Sequence, residues 1–333
     1  MMLIMKMFKL FVVATLGLWW VTVQAAPALF PVEVGGRWGF ADKAGKLVVN
    51  PQFERAEVFS EKLAAVRLGK WGYADGAGNL VINPQFDHAG AFHEGLAAVT
   101  ISGRGGYVGA DGKYVINPQF DEVRPFVQGR AAVKLDHRWG FIDRSGERVI
   151  RPQFEEAADF SEGLAAVRLG KFFGYVDVKG GWVIQAQFER AGAFSDGLAA
   201  IREGGRWGFI NPAGKPVIQP QFDVAGAFGN GLAPVKLGKN WGYVDAQGKY
   251  VINLQFDQAG PFADGLARVR LGNRWGYVDR DGKYAINPQF DGATDFYNGV
   301  ARVELGSAFT GMFGGRRFGY INPDGKYVWN PNK

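Results

Sequence analysis

The chain has 333 residues, a formal charge of +6, 49 glycines, 27 phenylalanines and no cysteine. The lack of cysteine excludes disulfide staples, thiolate metal sites, a cysteine nucleophile and a lipid-modified cysteine. The mild positive excess is spread along the chain, whereas a nucleic-acid binder clusters its charge on one face.

The first 25 residues read differently from the rest. Lys6 and Lys9 form a short basic start, and residues 10–23 (LFVVATLGLWWVTV) are uncharged and apolar. Small residues follow at Val23 and Ala25, the layout of a signal peptide over 1–25 with cleavage after Ala25. The apolar run is shorter than the ~20 residues a membrane span needs, so no transmembrane span is expected after cleavage. Loss of the two lysines takes the formal charge from +6 to +4. The expected location is the periplasm or the extracellular space.

From there the chain repeats itself. Trp38, Trp71, Gly105, Trp139, Phe173, Trp207, Trp241, Trp275 and Phe318 share one register. The intervals are 33 residues, then 34 six times, then 43. Each period predicts three strands. The Trp-Gly strand comes first (WGYVD at 241–245), with alternate residues on opposite faces. A three-residue turn follows, in which Asp245 caps and Gly248 supplies positive φ. The second strand (KYVIN) is expected to end where proline enters NPQF, as at Pro51, Pro84, Pro118, Pro152, Pro220 and Pro288. A connector carrying a recurrent phenylalanine, such as Phe228, leads to a return strand of the type LAAVRLG. One such unit buries too little apolar surface to offset its own ordering, so neighbours must share cores.

The recurrent pattern WGYVD…GKYVINPQFD…DGLA.V.LG resembles the WG-repeat family of bacterial proteins, from Val32 to Pro331. Gly105, Phe173 and Phe318 depart from its tryptophan, and Ala186 and Leu254 from its proline. The resemblance implies an all-β repeat fold and a surface or binding role, with no catalytic residues to carry over.

The expected architecture is a single array over 26–333 of about nine three-stranded repeats. A propeller-like closed ring is favoured, with an open β-superhelix as the alternative. The ends motivate closure. Residues 29–36 (LFPVEVGG) match a return strand, and residues 318–331 supply a Trp-Gly strand and its hairpin partner. Eight full repeats plus a ninth built from the N-terminal strand and the C-terminal hairpin is the expected count.

Function is read from the same residues. The repeat aromatics Trp38, Trp71, Trp139, Trp207, Trp241 and Trp275 are expected to be structural, with a sugar-stacking row as the alternative. Basic residues before that register (Arg37, Lys70, Arg104, Arg138, Arg206, Arg274, Arg317) point to local pairing rather than to an anion site. His88 and His93 share one polar connector, and no metal site, cofactor or catalytic residue is assigned. The largest break in symmetry is the insertion around GSAFTGMFGG, residues 306–315. Phe309, Met312, Phe313, Arg316 and Arg317 are therefore the candidate partner-binding residues. A smaller break, SGRGGYVG at 102–109, is a weak second candidate. The expected function is an exported, non-catalytic scaffold binding a protein partner or a cell-envelope surface. Carbohydrate or peptidoglycan binding is the alternative, a hydrolase or lyase less so, and nucleic acid is not expected.

Overall fold

The computed structural model describes residues 29–306 and 317–330. Among these residues, 35 strands form nine antiparallel sheets, and there is no helix. The sheets are the nine blades of a β-propeller, numbered here in chain order. Blade one holds Phe30–Val34, Arg37–Ala41 and Leu47–Phe53. Blade two is representative of the other eight, with Arg55–Ala56, Ala64–Leu68, Lys70–Ala74 and Leu80–Phe86 in spatial order.

Two expectations about the blade need correcting. The unit has four strands, because the connector pairs too. Its contribution is two residues long in most blades and six in blades three, six and eight (His88–His93, Arg190–Ser195 and Gln258–Ala263). In blades five, six and seven this inner strand and the residues that follow it (Ala157, Ala158, Gly192, Ala193, Gly226 and Ala227) border one cavity of about 370 Å³. Proline does not end the outer strand either. Leu80–Phe86 runs through Pro84, and the register slips between Trp71↔Phe86 and Tyr73↔Ile82. That slip is a bulge on an edge strand, where a missing N–H costs no ladder bond.

The bulge explains the Trp-Gly pair. A Cβ on Gly72 would lie 2.4 Å from the Ile82 carbonyl oxygen and 2.7 Å from the Pro84 nitrogen. The bulged backbone folds over the Trp-Gly strand so closely that only glycine fits. Gly174 and Gly242 meet the same approach from Ala186 and Leu254, so the close contact does not depend on proline.

The core lies between blades. In the joint of blades two and three, Tyr73, Ile82 and Phe86 pack on Phe92, Ala97, Val99 and Val108. At its centre the Tyr73 ring meets Phe92 with centroids 4.8 Å apart, and its hydroxyl donates to the Gly90 carbonyl at 2.8 Å. The motif recurs as Tyr107–Phe126, Phe141–Phe160, Tyr175–Phe194, Phe209–Phe228, Tyr243–Phe262 and Tyr277–Phe296. Each such ring contributes about 1.5–3 kcal/mol by burial, which is why the phenylalanine of the connector recurs.

Closure is set by the turn glycines. Gly112, Gly146, Gly180, Gly214, Gly248, Gly282 and Gly325 each lean on an isoleucine of the preceding blade, and Gly78 leans on Val49. Gly45 of blade one meets blade nine as well, here through the backbone carbonyl of Val328 rather than a side chain, so the array returns to its start. The closed ring is correct, but the expected ninth unit is not. Phe30–Val34 pairs with Arg37–Ala41 of its own blade, and the C-terminal hairpin pairs with Ala301–Leu305. The return strand joins the Trp-Gly strand that follows it in every blade, across one or two residues in blades one to eight and across residues 306–316 in blade nine. No strand is shared, and the ring is shut by packing.

Candidate functional site at the ring seam

The joint of blades nine and one differs from the eight others. In the column occupied by Ala64, Ala97, Ala131, Ala165, Ala199, Ala233, Ala267 and Ala301, blade one carries Phe30. Its ring sits 4.4 Å, centroid to centroid, from Tyr320. Elsewhere that column is met by the phenylalanine of the next blade's connector, which lies within the inner strand in blades three, six and eight and just after it in the others. Here a second-strand residue makes the contact, reaching across with a large side chain where an alanine normally stands.

Beside this contact lies a cavity of about 1310 Å³, bordered by blades one, two and nine. Phe30, Phe59, Val58, Val300 and Tyr320 give it apolar wall, and Glu33, Arg55, Glu57, Asp295 and Arg302 give it charge of both signs. Tyr320 is half-buried, whereas Tyr73, Tyr107, Tyr175, Tyr243 and Tyr277 of its column are fully buried. Burial still pushes its hydroxyl pKa up, to about 12, with Arg302 pulling the other way. The Arg302 guanidinium lies 4.7 Å from the centroid of Phe318, the residue standing in for tryptophan in blade nine. Tyr297, also on the cavity, is 60% exposed.

Blade one presents three strands among the described residues, none of which lies on the far edge of Phe30–Val34 as an inner strand. In other blades that edge accepts N–H bonds from the inner strand, as from Glu57 to the Ala65 carbonyl and from Glu54 to the Arg67 carbonyl. The turn that would place an inner strand there also has a fixed chemistry. Its two residues have positive φ, as in Glu94–Gly95 (54° and 79°) and Asp264–Gly265 (49° and 83°). Its first side chain caps the next blade, Glu94 accepting from Gly129 N–H at 2.9 Å.

The sequence-derived candidates divide around this site. Phe309, Met312, Phe313 and Arg316 lie outside the described residues. Arg317 begins the Trp-Gly strand of blade nine, is exposed, and borders a second cavity of about 360 Å³ with Glu33, Gly35 and Trp329. Arg317 thus stands on the seam, while Gly306, the last described residue before it, donates its N–H to Asp291 at 2.8 Å. The Phe30–Tyr320 pairing was missed, although aligning the repeats column by column shows one phenylalanine among eight alanines.

The other candidates have structural explanations. Trp139 is buried and Trp38, Trp71, Trp207, Trp241 and Trp275 are half-buried against the interblade clusters, so none forms an open stacking platform. Lys70, Arg104, Arg138 and Arg206 pair with Asp87, Asp121, Glu155 and Asp223, and Arg274 with Asp291 at 2.8 Å. The aspartates after the Trp-Gly strand cap turns instead, Asp75 accepting from the N–H groups of Ala77 and Asn79 at 2.9 Å. The 102–109 break is no opening: a Cβ on Gly105 would lie 2.7 Å from both methyls of Val123, which fill the indole's place. His88 and His93 are exposed at opposite ends of their strand, and no group of three potential metal ligands occurs among the described residues. No described helix is long and apolar enough to cross a membrane.

Comparison with known proteins settles the family. The model of the WG-containing repeat matches eight times, over residues 38–70, 71–104, 106–136, 139–171, 173–207, 207–241, 241–275 and 275–307. The chain belongs to the WG-containing repeat family. No curated protein matches its sequence. Among solved structures, a eukaryotic initiation factor superposes on this WG-repeat ring with a TM-score of 0.65 at 10% identity, over 90% of this chain and 95% of that one. Dihydro-heme d1 dehydrogenase NirN gives 0.49 at 10% identity, over 91% of this chain and 72% of its own. Apo AztD from Citrobacter koseri gives 0.42 at 12% identity, over 77% and 92%. At these identities the likeness is one of fold alone.

Proposed function

We propose that this WG-repeat propeller is an exported, non-catalytic binding scaffold whose protein partner docks at the seam between blades one and nine. The observation that carries the reading is the broken symmetry there. Eight joints are closed by one repeated packing scheme, and the ninth keeps a large cavity of mixed apolar and charged lining. Such a site suits recognition, since an apolar pocket gives affinity and a few polar groups give orientation. Arg317 borders this seam, and Phe309, Met312, Phe313 and Arg316, which precede it in the sequence outside the described residues, stay with it as candidate partner-binding residues. Export follows from the leader over 1–25 and fits a chain without cysteine whose stability rests on packing. The half-buried tryptophans do not favour the glycan reading.

The test is site-specific photocrosslinking in the native cell envelope. A photoreactive residue in place of Tyr297 on the seam should give a discrete adduct. The same residue in place of Val183, 45% exposed on blade five, should give none. Equal labelling from both positions, or none from Tyr297, would overturn the seam as the docking site.

A further inference from the structure

We propose that the seam receives its partner as a β-strand, an extended segment that adds to the edge of Phe30–Val34, where no fourth strand lies among the described residues. This rests on the seam-docking reading above and specifies how that docking occurs. The other eight blades show the geometry, since each has a strand in this place. In blade six, Arg190, Ala191, Phe194 and Ser195 pair with Arg202, Ile201, Ala199 and Leu198. Carried onto blade one by register, the last four positions are Glu33, Val32, Phe30 and Leu29. The carbonyl groups of Pro31 and Glu33 occupy the acceptor positions of that edge. Proline there is no obstacle, because Pro234 holds the same place in blade seven and accepts from Gly226 N–H at 2.8 Å.

The occupant's chemistry can be read from the two columns where blade one departs from its siblings. Opposite Phe30 the other blades place a phenylalanine against an alanine. With Phe30 already contacting Tyr320, the incoming residue must be small. Opposite Glu33, four residues earlier in the incoming strand, a cation is favoured. Blades four and five make the mirror-image pairs across this column, Lys134–Glu122 at 2.6 Å and Arg168–Glu156 at 2.9 Å. The partner segment is therefore extended, with Lys or Arg four residues before Gly, Ala or Ser. Main-chain pairing supplies affinity and these two side chains supply selectivity.

The test uses the full chain and the synthetic octapeptide Glu-Arg-Ala-Gly-Ala-Ala-Ser-Asp, which is residues 189–196 with alanine for Phe194. Saturable binding is expected by fluorescence anisotropy. The version retaining phenylalanine should bind at least about tenfold more weakly, and Phe30→Ala in the protein should reverse that preference. Glu33→Lys should weaken the alanine peptide by a similar factor, and a glutamate in place of the peptide's arginine should restore it. As the chain has no cysteine, Glu33→Cys gives a register probe that does not depend on Phe30. It should form a disulfide with a peptide cysteine at the arginine position and not with one two residues along. No saturable binding, equal binding of both peptides, or trapping without register would overturn strand addition. A partner captured from Tyr297 that the peptide fails to displace would sink the strand mode alone. Absence of any Tyr297 adduct would sink the docking reading itself.

Discussion

Gly105 and Val123 face each other across the joint of blades three and four, and together they replace a pair made by tryptophan and alanine at six other joints and by Phe173 and Ala191 at a seventh. Both methyls of Val123 stand 2.7 Å from where a side chain on Gly105 would begin. The matching residues in other blades are Ala56, Ala89, Ala157, Ala191, Ala225, Ala259 and Ala293. Gly105→Trp alone should cost about 1–3 kcal/mol through overpacking. Val123→Ala alone should cost about 1 kcal/mol for the methyls lost. The double substitution recreates the pairing of the sister blades, and its stability in urea should return close to that of the parent. Additive losses would show that the two residues are not a coupled pair.

The glycine of each Trp-Gly pair is fixed by backbone, which cannot move aside. A Cβ on Gly276 would lie 2.5 Å from the Ile286 carbonyl oxygen and 2.6 Å from the Pro288 nitrogen. Gly276→Ala should therefore destabilise the ring by about 3 kcal/mol, the upper end for overpacking. Gly272→Ala, at a turn with φ near 60° and open space around it, should cost only the modest penalty of a left-handed alanine. Thermal denaturation of the two variants measures the difference.

Alkali should expose the tyrosine column. Burial pushes the hydroxyls of Tyr73, Tyr107, Tyr175, Tyr243 and Tyr277 well above the ordinary value of 10.0. An unfolded chain loses those protons above about pH 10, while the folded ring keeps them. Their contribution is thus complete below pH 10 and declines as pH rises beyond it. The urea midpoint should fall steeply between about pH 10 and 12. Phenylalanine at all five positions should flatten that fall, because Phe40, Phe141 and Phe209 already occupy the same column. At neutral pH the variant should lose about 0.5–1.5 kcal/mol for each hydroxyl-to-carbonyl bond removed.

The seam should be the weakest joint. Phe30–Val34 lacks a fourth strand among the described residues, and blade nine is held to it by the Phe30–Tyr320 and Gly45–Val328 contacts. Native-state hydrogen exchange should release the amides of Phe30–Val34 and Arg317–Ile321 well before those of Leu164–Leu169 in blade five. Uniform protection around the ring would contradict this.

Much of the fold was legible because the repeat writes its rules nine times. The turn glycines, the Trp-Gly strand and the buried aromatics follow from spacing and alternation. The inner strand was not legible, because two residues such as Arg55–Ala56 carry no periodic signal and pair only once blades have packed. The proline within the outer strand misled for a related reason: it marks a bulge, which local sequence rules do not distinguish from an end. The pairing of the termini looked symmetrical in either phase, and the short link between Val34 and Arg37 decides it. The insertion was visible in the sequence, while Phe30, which sets the joint of blades nine and one apart, was hidden inside an ordinary-looking strand.

A circle shut by side chains, with no strand donated from one end to the other, places few demands on its own copy number. Duplicating or deleting one whole repeat would leave every hairpin and every joint chemically intact, with only a small change of wedge angle to absorb. Ring size in such a lineage is free to drift by single modules. The joint of Phe30 and Tyr320 would keep its own packing through each change of circumference.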